Sequence, residues 1–253
     1  MISIKSPEEI ELIRASCRIV ADVLKLVGGM VRPGITTLEL DTMAEEYIRS
    51  LGAEPAFKGY GWNKKNLFPA TLCTSIDREV VHGIPGKRAL ADGELLSVDV
   101  GVKKEGFYGD GAWSFAVGEI SGEKARLMTA TEESLAKGIE MAVPGNRVHD
   151  ISAAVQQHVE SNGFSVVRDL VGHGIGRNLH EEPSVPNFGD PHTGVLLKEG
   201  MTIAIEPMVN AGSWQVKVAR DGWTILTADG RPSAHYEHTV AVVDGRAEIL
   251  TRS

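Results

Sequence analysis

The chain has 253 residues, of which 42% are hydrophobic and 24% are charged, and its formal net charge is -8. This balance is typical of a globular protein with one large domain or two small ones. The negative charge argues against electrostatic binding of nucleic acid or of a membrane surface. No run of about 18 apolar residues and no secretory signal pattern occurs, so we expect a cytoplasmic protein without a membrane span. Two cysteines, Cys17 and Cys73, are too few for a disulfide framework.

The first predicted element is an amphipathic helix near the N-terminus. Ser6 is a suitable N-cap residue, and Pro7 fits the first helical turn. Cys17 lies on the apolar face of this helix, where we expect it to pack in the core. The apolar stripe consists of Ile10, Ile13, Val20, Leu24 and Val27. A second helical pattern follows residues 30–34 and ends near residue 52.

The same order of elements recurs later in the chain. Residues 141–145 (Met-Ala-Val-Pro-Gly) resemble residues 30–34 (Met-Val-Arg-Pro-Gly) at an offset of 111 positions. Ser121 opens the long helical pattern that precedes this second copy. The near-repeat predicts one domain over residues 1–253, with two related halves of about 1–115 and 116–253.

Each pair of predicted helices is followed by short predicted strands. Each stretch contains a His-Gly-Ile sequence, at residues 82–84 and 173–175, and then an acid within an apolar run, Asp99 or Glu206. A turn at residues 104–106 predicts a hairpin that brings Asp99 close to Asp110. Together these patterns predict an α+β fold, with a curved and largely antiparallel sheet covered by helices and a site between the halves.

Several acidic side chains fall in apolar or glycine-rich contexts of the predicted strands. A buried carboxylate costs several kcal/mol unless a cation or a proton compensates its charge. Converging buried carboxylates therefore indicate metal ions, and two neighbouring cations are suited to hydrolysis because they lower the pKa of a shared water. The candidate ligands are Asp99, Asp110, His173, Glu206 and Glu237.

Six short motifs occur in one order along nearly the whole chain. They are residues 81–85 (Val-His-Gly-Ile-Pro), the paired acids Asp99 and Asp110, and residues 172–176, 180–183, 205–207 and 236–239. In this order they resemble the type I methionine aminopeptidases, in the short bacterial form without an appended zinc-finger region. The resemblance implies the pita-bread fold of the creatinase and aminopeptidase group. It also implies removal of the initiator methionine from nascent proteins by a metal-bridging water or hydroxide that attacks the scissile carbonyl.

The resemblance also implies a role for each candidate residue. Asp110 and Glu237 would bridge two divalent metal ions, His173 and Glu206 would complete one site, and Asp99 would complete the other. The oxygen-rich ligand set favours Co(II), Mn(II) or Fe(II), with Zn(II) and Ni(II) as further candidates. Glu206 would also carry a proton between the water and the leaving amine.

Two further histidines and an apolar pocket follow from the same resemblance. His82 would contact the peptide beyond the scissile bond, and His180 would contact the developing oxyanion. The pocket for the methionine side chain would be lined by Phe57, Tyr60, Phe68, Cys73, Leu179 and Trp223, although each of these residues could equally be part of the core. The sequence departs from the family pattern through extra residues at 61–67 and through Leu179, where phenylalanine is frequent.

The remaining acids and histidines of this region are expected on the surface or beside the ligands. They are Glu181, Glu182, His192, His235 and His238. A lone histidine is more often structural than catalytic, which is the alternative for His82 and His180 as well.

Two other functions are compatible with such a chain. An Xaa-Pro peptidase or creatinase-like hydrolase shares the fold but usually has a separate N-terminal domain. A binding protein that has lost its metals has no reason to keep all five ligand types. The partners implied by the resemblance are nascent polypeptide N-termini and, as a candidate, the ribosome. No nucleic acid or membrane is required, and the expected state is a monomer.

Overall fold

The computed structural model describes residues 2–61 and 63–252, and within these ranges the chain forms four α-helices and fifteen β-strands. The helices are α1 (Pro7–Met30), α2 (Thr37–Ser50), α3 (Gly122–Met141) and α4 (Val148–Ser161). None of these helices is both long and apolar enough to cross a membrane.

The helix boundaries agree with the capping residues predicted from the sequence. Ser6 accepts a hydrogen bond from the backbone N–H of Glu9, whose side chain accepts one from the N–H of Ser6, so α1 begins with a capping box. Ser121 caps α3 in a similar position. The ends of α1 and α3 are 111 residues apart, at positions 30 and 141, and the starts of α2 and α4 are also 111 residues apart, at 37 and 148.

The main sheet contains nine strands, and every pairing in it is antiparallel. Its strands are β1 (Glu54–Pro55), β2 (Leu72–Ile76), β4 (Leu95–Lys104), β5 (Phe107–Ala116), β7 (Gly172–Gly174), β8 (Glu181–Val185), β9 (Thr202–Ile205), β14 (Glu237–Val243) and β15 (Arg246–Ile249). The order is β1-β4-β5-β14-β9-β7-β8, with β2 paired to β4 and β15 paired to β14. The sheet therefore joins strands from both halves of the chain through the β5–β14 pair.

Two three-stranded sheets flank the main one. The first contains β6 (Ser165–Val166), β10 (Met208–Asn210) and β13 (Ser233–His235), and the second contains β3 (Glu79–Val81), β11 (Val216–Val218) and β12 (Ile225–Thr227). The prediction of short strands in both halves is wrong for β4 and β5, which have ten residues each. These two strands are long because they form one continuous hairpin, in which ten residue pairs are in register.

Each half of the chain has its own hydrophobic core between its helices and one side of the main sheet. In the first half, the even-numbered residues of β4 from Leu96 to Val102 pack with the apolar faces of α1 and α2. In the second half, Ile203 and Ile205 of β9 pack with Val240 and Val242 of β14 and with α3 and α4. Because side chains alternate along a strand, Asp99 and Glu206 point to the other side of the sheet.

A largely buried ion pair joins the N-terminal segment to the first residue of β8, next to His180. Nζ of Lys5 lies 2.6 Å from Oε2 of Glu181, and only 3% and 12% of the two side chains are exposed. Burial alone would raise the pKa of Glu181, but the hydrogen bonds from Lys5 and from the N–H of Asn178 hold that pKa below its usual value. The carboxylate is therefore charged and depends on Lys5 for its neutralisation.

We expect Lys5→Met to lower the free energy of unfolding by about 3 kcal/mol, because it leaves a largely buried carboxylate without its cation. Urea unfolding at neutral pH measures the loss. The matched control is the double variant Lys5→Met with Glu181→Gln, which removes the charge as well and should recover most of the stability. Additive losses in the double variant would contradict this account of the pair.

Candidate metal centre

The predicted ligands of the first half meet those of β14 across three neighbouring strands. Asp99 on β4 is opposite Ala112 on β5, and Ala112 is in turn opposite Glu237 on β14. Asp110 is two residues before Ala112 and therefore lies on the same face of the sheet. The small Ala112 side chain thus separates the carboxylates of Asp99 and Glu237 and leaves open space between them.

The hairpin explains how two acids eleven positions apart share one face. Along an unbroken strand, an odd separation would place Asp99 and Asp110 on opposite faces. The turn between β4 and β5 pairs Gly101 with Asp110, so both acids point to the same side. The predicted proximity of Asp99 and Asp110 across a hairpin is confirmed.

The second half adds His173 and Glu206 to the same face. His173 on β7 is opposite Ala204 on β9, and Glu206 follows two residues after Ala204, immediately beyond the end of β9. Gly172 and Gly174 flank the histidine because the backbone of neighbouring strands comes very close. A Cβ at Gly172 would lie 2.4 Å from the carbonyl oxygen of Ala204.

The four carboxylates lie together in the centre, with Asp110 and Glu237 buried and Asp99 and Glu206 half-buried. Burial raises the pKa of Asp110 to about 7, and burial together with the charge of Asp110 raises the pKa of Asp99, Glu206 and Glu237 well above the usual range. Among residues 2–61 and 63–252, no Lys or Arg side chain forms an ion pair with any of the four. Four acids in this position need either protons or cations to offset their charge.

The tautomer of His173 distinguishes between these two possibilities. Its Nδ1 lies 2.9 Å from the carbonyl oxygen of Gly174, and because a carbonyl only accepts, Nδ1 carries the proton. Burial lowers the pKa of His173 to about 3, so the ring is neutral and Nε2 presents a lone pair. That lone pair faces Oε1 of Glu206 at 3.5 Å and Oδ2 of Asp110 at 3.8 Å. Three electron-rich atoms directed at one another fit a shared cation.

Two more oxygens of the cluster support the same conclusion. Oδ1 of Asp99 and Oε1 of Glu237 are buried and have no hydrogen-bond partner among the described residues. Asp110, His173 and Glu237 also offer ligand atoms that all lie within 4.8 Å of one another. The residues present therefore fit a divalent metal centre in their donor types, burial and charge.

A cavity of about 300 Å³ opens onto these ligands. All thirteen residues predicted for the site line it: Phe57, Tyr60, Phe68, Cys73, His82, Asp99, Asp110, His173, Leu179, His180, Glu206, Trp223 and Glu237. One end of the cavity is therefore acidic, and the other is apolar and aromatic. At the aromatic end the rings of Phe68 and Trp223 are packed edge to face, with their centroids 5.3 Å apart.

His82 and His180 lie at the junction of the acidic and apolar ends. The ring centroids of His180 and His173 are 4.3 Å apart, and Nδ1 of His180 is 2.7 Å from the hydroxyl oxygen of Tyr60. Burial lowers the pKa of His180, and burial with the nearby His180 ring lowers the pKa of His82 to about 4. Both histidines are therefore neutral at physiological pH and remain available to hydrogen-bond a polar ligand.

The sequence model of metallopeptidase family M24 matches residues 11–244, which is most of the chain. The chain belongs to this family, among the methionine aminopeptidases. It is 55% identical to methionine aminopeptidase of Clostridium perfringens over 252 residues, and 99% of each chain is covered. It is 49% identical to methionine aminopeptidase 1 of Bacillus subtilis over 252 residues, with full coverage of both chains.

Solved structures show the same architecture. Methionine aminopeptidase from Thermotoga maritima superposes with a TM-score of 0.97 at 46% identity, over the whole of both chains. The prolidase of Pyrococcus horikoshii has a TM-score of 0.79 at 21% identity, and this chain covers 63% of it, so that likeness concerns the fold alone. These comparisons confirm the predicted pita-bread fold.

Tyr60 and Phe68, on either side of the segment predicted to be extra, are close to each other in this M24 protein. The backbones of Tyr60 and Phe68 close the segment at its base, since the N–H of Phe68 donates to the carbonyl of Tyr60 at 2.8 Å. Asn66 reaches across and donates to the carbonyl of Asp221 at 3.2 Å. Trp62 lies outside the described residues. Tyr60 and Phe68 both line the cavity.

The structure also places the acids and histidines that were expected at the surface or beside the ligands. Glu182 and His192 are exposed, Glu181 pairs with Lys5, and Nδ1 of His238 lies 2.8 Å from the hydroxyl of Thr251. His235 differs, because it is fully buried and its Nε2 is 3.9 Å from Oε2 of Glu206. The sequence contained one indication of this position, since His235 is two residues before Glu237 and extended chain would direct both to one side.

The metal-free protein should become less stable as the pH rises from about 7.5 to 8.5. In this range the folded state still binds protons on the acids of the centre, because the pKa is raised to about 7 for Asp110 and well above the usual range for Asp99, Glu206 and Glu237. The unfolded state has already lost them, so the free energy of unfolding falls by about 1.4 kcal/mol per pH unit for each extra proton held. The buried histidines have lowered pKa values, so they oppose this trend below about pH 7.5, where the unfolded state still binds protons on its histidines.

Urea unfolding in the presence of a chelator, at pH 7.5 and at pH 8.5, measures this pH dependence. Adding Mn(II) should reverse the trend, because the cation replaces the protons and binds more tightly as they leave. A metal-free protein that gains stability over this pH range would contradict the raised pKa values.

Proposed function

We propose that this protein is a metal-dependent aminopeptidase that removes the initiator methionine from nascent polypeptides. The observation that carries the proposal is the lone pair of His173, which faces the carboxylates of Asp110 and Glu206 at the floor of an apolar cavity. The relatives with which the chain aligns over nearly its full length are methionine aminopeptidases.

Two divalent cations, when bound, would supply an activated water and positive charge for the carbonyl oxygen of the scissile bond. Asp110 and Glu237 are the residues proposed to contact both ions, because they lie between Asp99 on one side and the Glu206–His173 pair on the other. Four carboxylates offset the charge of two divalent ions. Mn(II), Fe(II) and Co(II) suit this ligand set best, with Zn(II) and Ni(II) as further candidates.

Glu206 is proposed to move the proton from the attacking water to the leaving amine. Its carboxylate lies at the floor of the cavity and its pKa is raised by burial, so it can hold a proton at neutral pH. His180 is positioned by Tyr60 next to His173, where it can donate to the developing oxyanion. His82 lies against Trp223, with ring centroids 6.4 Å apart, and is proposed to contact the peptide beyond the scissile bond.

The apolar end of the cavity is proposed to select methionine. Aromatic rings and a thiol are soft, polarisable groups that make favourable contacts with a thioether sulfur. The residues that provide them are Phe57, Tyr60, Phe68, Cys73 and Trp223, together with the aliphatic Leu179. An unbranched side chain would pass between these rings more easily than a β-branched one.

The test is release of free amino acid from tripeptides by the chelated protein, before and after Mn(II), Fe(II) or Co(II) is added. We expect Met-Ala-Ser to be cleaved only with metal, and the matched Val-Ala-Ser control to remain intact. An Xaa-Pro peptidase would instead cleave Gly-Pro-Ser, which would redirect the proposal to the prolidase branch of the fold. No release with any of the three ions would defeat the enzymatic function.

The setting of the enzyme follows from its proposed substrate. Nascent N-termini are accessible in the cytoplasm near the ribosome, so we place the protein there and propose ribosome association, with no need for nucleic acid or a membrane. We further propose that it acts as a monomer, with residues 1–253 as one catalytic domain and its centre between the two halves.

A further inference from the structure

His235 is a buried imidazole next to the candidate metal centre that the proposed mechanism does not use. It ends β13, and 1% of its surface is exposed. The hydroxyl of Ser114 fixes its backbone, because it accepts from the N–H of His235 at 3.1 Å and donates to its carbonyl at 2.9 Å. The position of the ring is therefore set by two strands rather than by a loop.

Both nitrogens of this ring are buried, and neither has a hydrogen-bond partner within the described part of the chain. Such an arrangement is costly, since a buried polar group without a partner loses its hydration and gains nothing in return. A carboxylate oxygen faces the ring: Oε2 of Glu206 lies 3.9 Å from Nε2 of His235. A shift of about 1 Å would bring the two atoms to hydrogen-bond distance.

The two oxygens of Glu206 face two different imidazoles. Oε1 faces Nε2 of His173 at 3.5 Å, and Oε2 faces Nε2 of His235 at 3.9 Å. His173 cannot donate to the carboxylate, because its proton is on Nδ1 and is directed at Gly174. Nδ1 of His235 makes no such hydrogen bond among the described residues, so Nε2 of this ring can carry the proton and donate a hydrogen bond.

We propose that His235 is a positioning residue whose Nε2–H holds Oε2 of Glu206, so that Oε1 remains directed towards His173 and the metal centre. This inference rests on the proposed function, in which Glu206 is both ligand and proton carrier. A hydrogen bond from a neighbouring residue to a metal ligand fixes the orientation of the ligand and tunes its basicity. A neutral imidazole does this without adding charge to a centre where four carboxylates match two divalent ions.

The rival role for His235 is direct metal binding. Ligand atoms of Glu206, His235 and Glu237 lie within 4.8 Å of one another, so a cation could in principle contact all three. The two roles differ in what can replace the imidazole. A glutamine amide provides an N–H donor for a carboxylate but is a poor ligand in place of a histidine nitrogen.

The experiment compares His235→Gln, which keeps a donor, with His235→Leu, which removes it. Three quantities are measured: kcat and KM for Met-Ala-Ser at saturating Mn(II), Mn(II) affinity of the chelated protein by calorimetry, and urea unfolding. For His235→Leu we expect kcat to fall about 10- to 100-fold and Mn(II) affinity about 10-fold, with KM nearly unchanged. For His235→Gln we expect kcat and affinity within about 3-fold of the wild type, as for a retained hydrogen bond.

His238→Leu is the matched control, because it deletes an imidazole beside Glu237 whose Nδ1 is directed at Thr251, and it should leave kcat unchanged. If His235→Leu does not fold, His235→Met, which is more flexible, takes its place. Wild-type kcat and Mn(II) affinity in the donor-free variant would overturn the inference. So would a His235→Gln variant as defective as His235→Leu, since this would identify the imidazole as a ligand. Failure of the wild type to release methionine would instead defeat the proposed function.

Discussion

Glu206→Gln lowers kcat for methionine release by roughly 10³-fold while the protein remains folded, if Glu206 carries the proton as we propose. The amide has almost the same shape as the carboxylate but cannot accept a proton from water and pass it to an amine. The fold should tolerate the change, since the Glu206 side chain is only 14% exposed and this partial burial raises its pKa well above the usual value. A neutral side chain at this position avoids the cost of burying a charge.

Steady-state kinetics with Met-Ala-Ser at saturating Mn(II) measures the loss, and calorimetry on the same sample shows how much of it arises from weaker metal binding. Glu182→Gln is a matched control, because it makes the same change at an exposed glutamate on β8 and should keep wild-type kcat. Full activity of the Glu206→Gln variant would eliminate the proton-carrier role.

Asp110→Asn should have the second large effect, on metal binding. Asp110 lies centrally, 3.8 Å from Nε2 of His173 and on the same face as Asp99 and Glu237. Replacing it removes a negative charge and a proposed ligand of both ions, so we expect Mn(II) affinity to fall more than about 100-fold, beyond the loss typical for a residue behind a ligand. Calorimetric titration of the chelated variant measures this affinity.

The same variant should increase the free energy of unfolding of the metal-free protein. Burial raises the pKa of Asp110 to about 7, so the wild-type side chain loses its proton above that pH at a cost to the folded state. Asp110→Asn cannot ionise and should be more stable than the wild type at pH 8.5 when a chelator is present. Asp190→Asn, on the exposed surface, is the control that should change neither quantity. Unchanged Mn(II) affinity in the Asp110→Asn variant would contradict the ligand set.

The local part of this structure could be predicted from the sequence. The caps Ser6 and Ser121 mark helix starts by short-range hydrogen bonding, and the 111-residue offset of the repeat is found again in the helix boundaries. The turn after Lys104 fixes the hairpin, which in turn brings Asp99 and Asp110 to one face. Each of these features depends on residues that are close in sequence.

Long-range pairing was beyond the reach of the same reasoning. That Ala112 lies between Asp99 and Glu237 depends on β5 pairing with β14, which begins more than a hundred residues later. The Lys5–Glu181 pair spans a still larger separation. The length of β4 and β5 could not be predicted either, because polar and glycine residues interrupt the apolar pattern of these strands. Those residues face the cavity or another element, which only the fold reveals.

His235 shows the limit of motif reasoning most clearly. Its residue type and its position beside Glu237 did not distinguish a surface histidine from a buried one. Its environment is created by β13, which pairs with β10 in a separate small sheet and brings the ring towards Glu206. Burial without a partner became visible only in three dimensions.

We propose that five side chains from both halves of the chain bind two divalent cations at one face of the sheet. A crystal structure of the Mn(II)-loaded protein, with manganese located by anomalous diffraction, tests this claim most directly. We expect two manganese ions per chain, both in contact with Asp110 and Glu237. One ion should also contact His173 and Glu206, and the other should also contact Asp99. Manganese bound elsewhere, or absent from these carboxylates in active crystals, would contradict it.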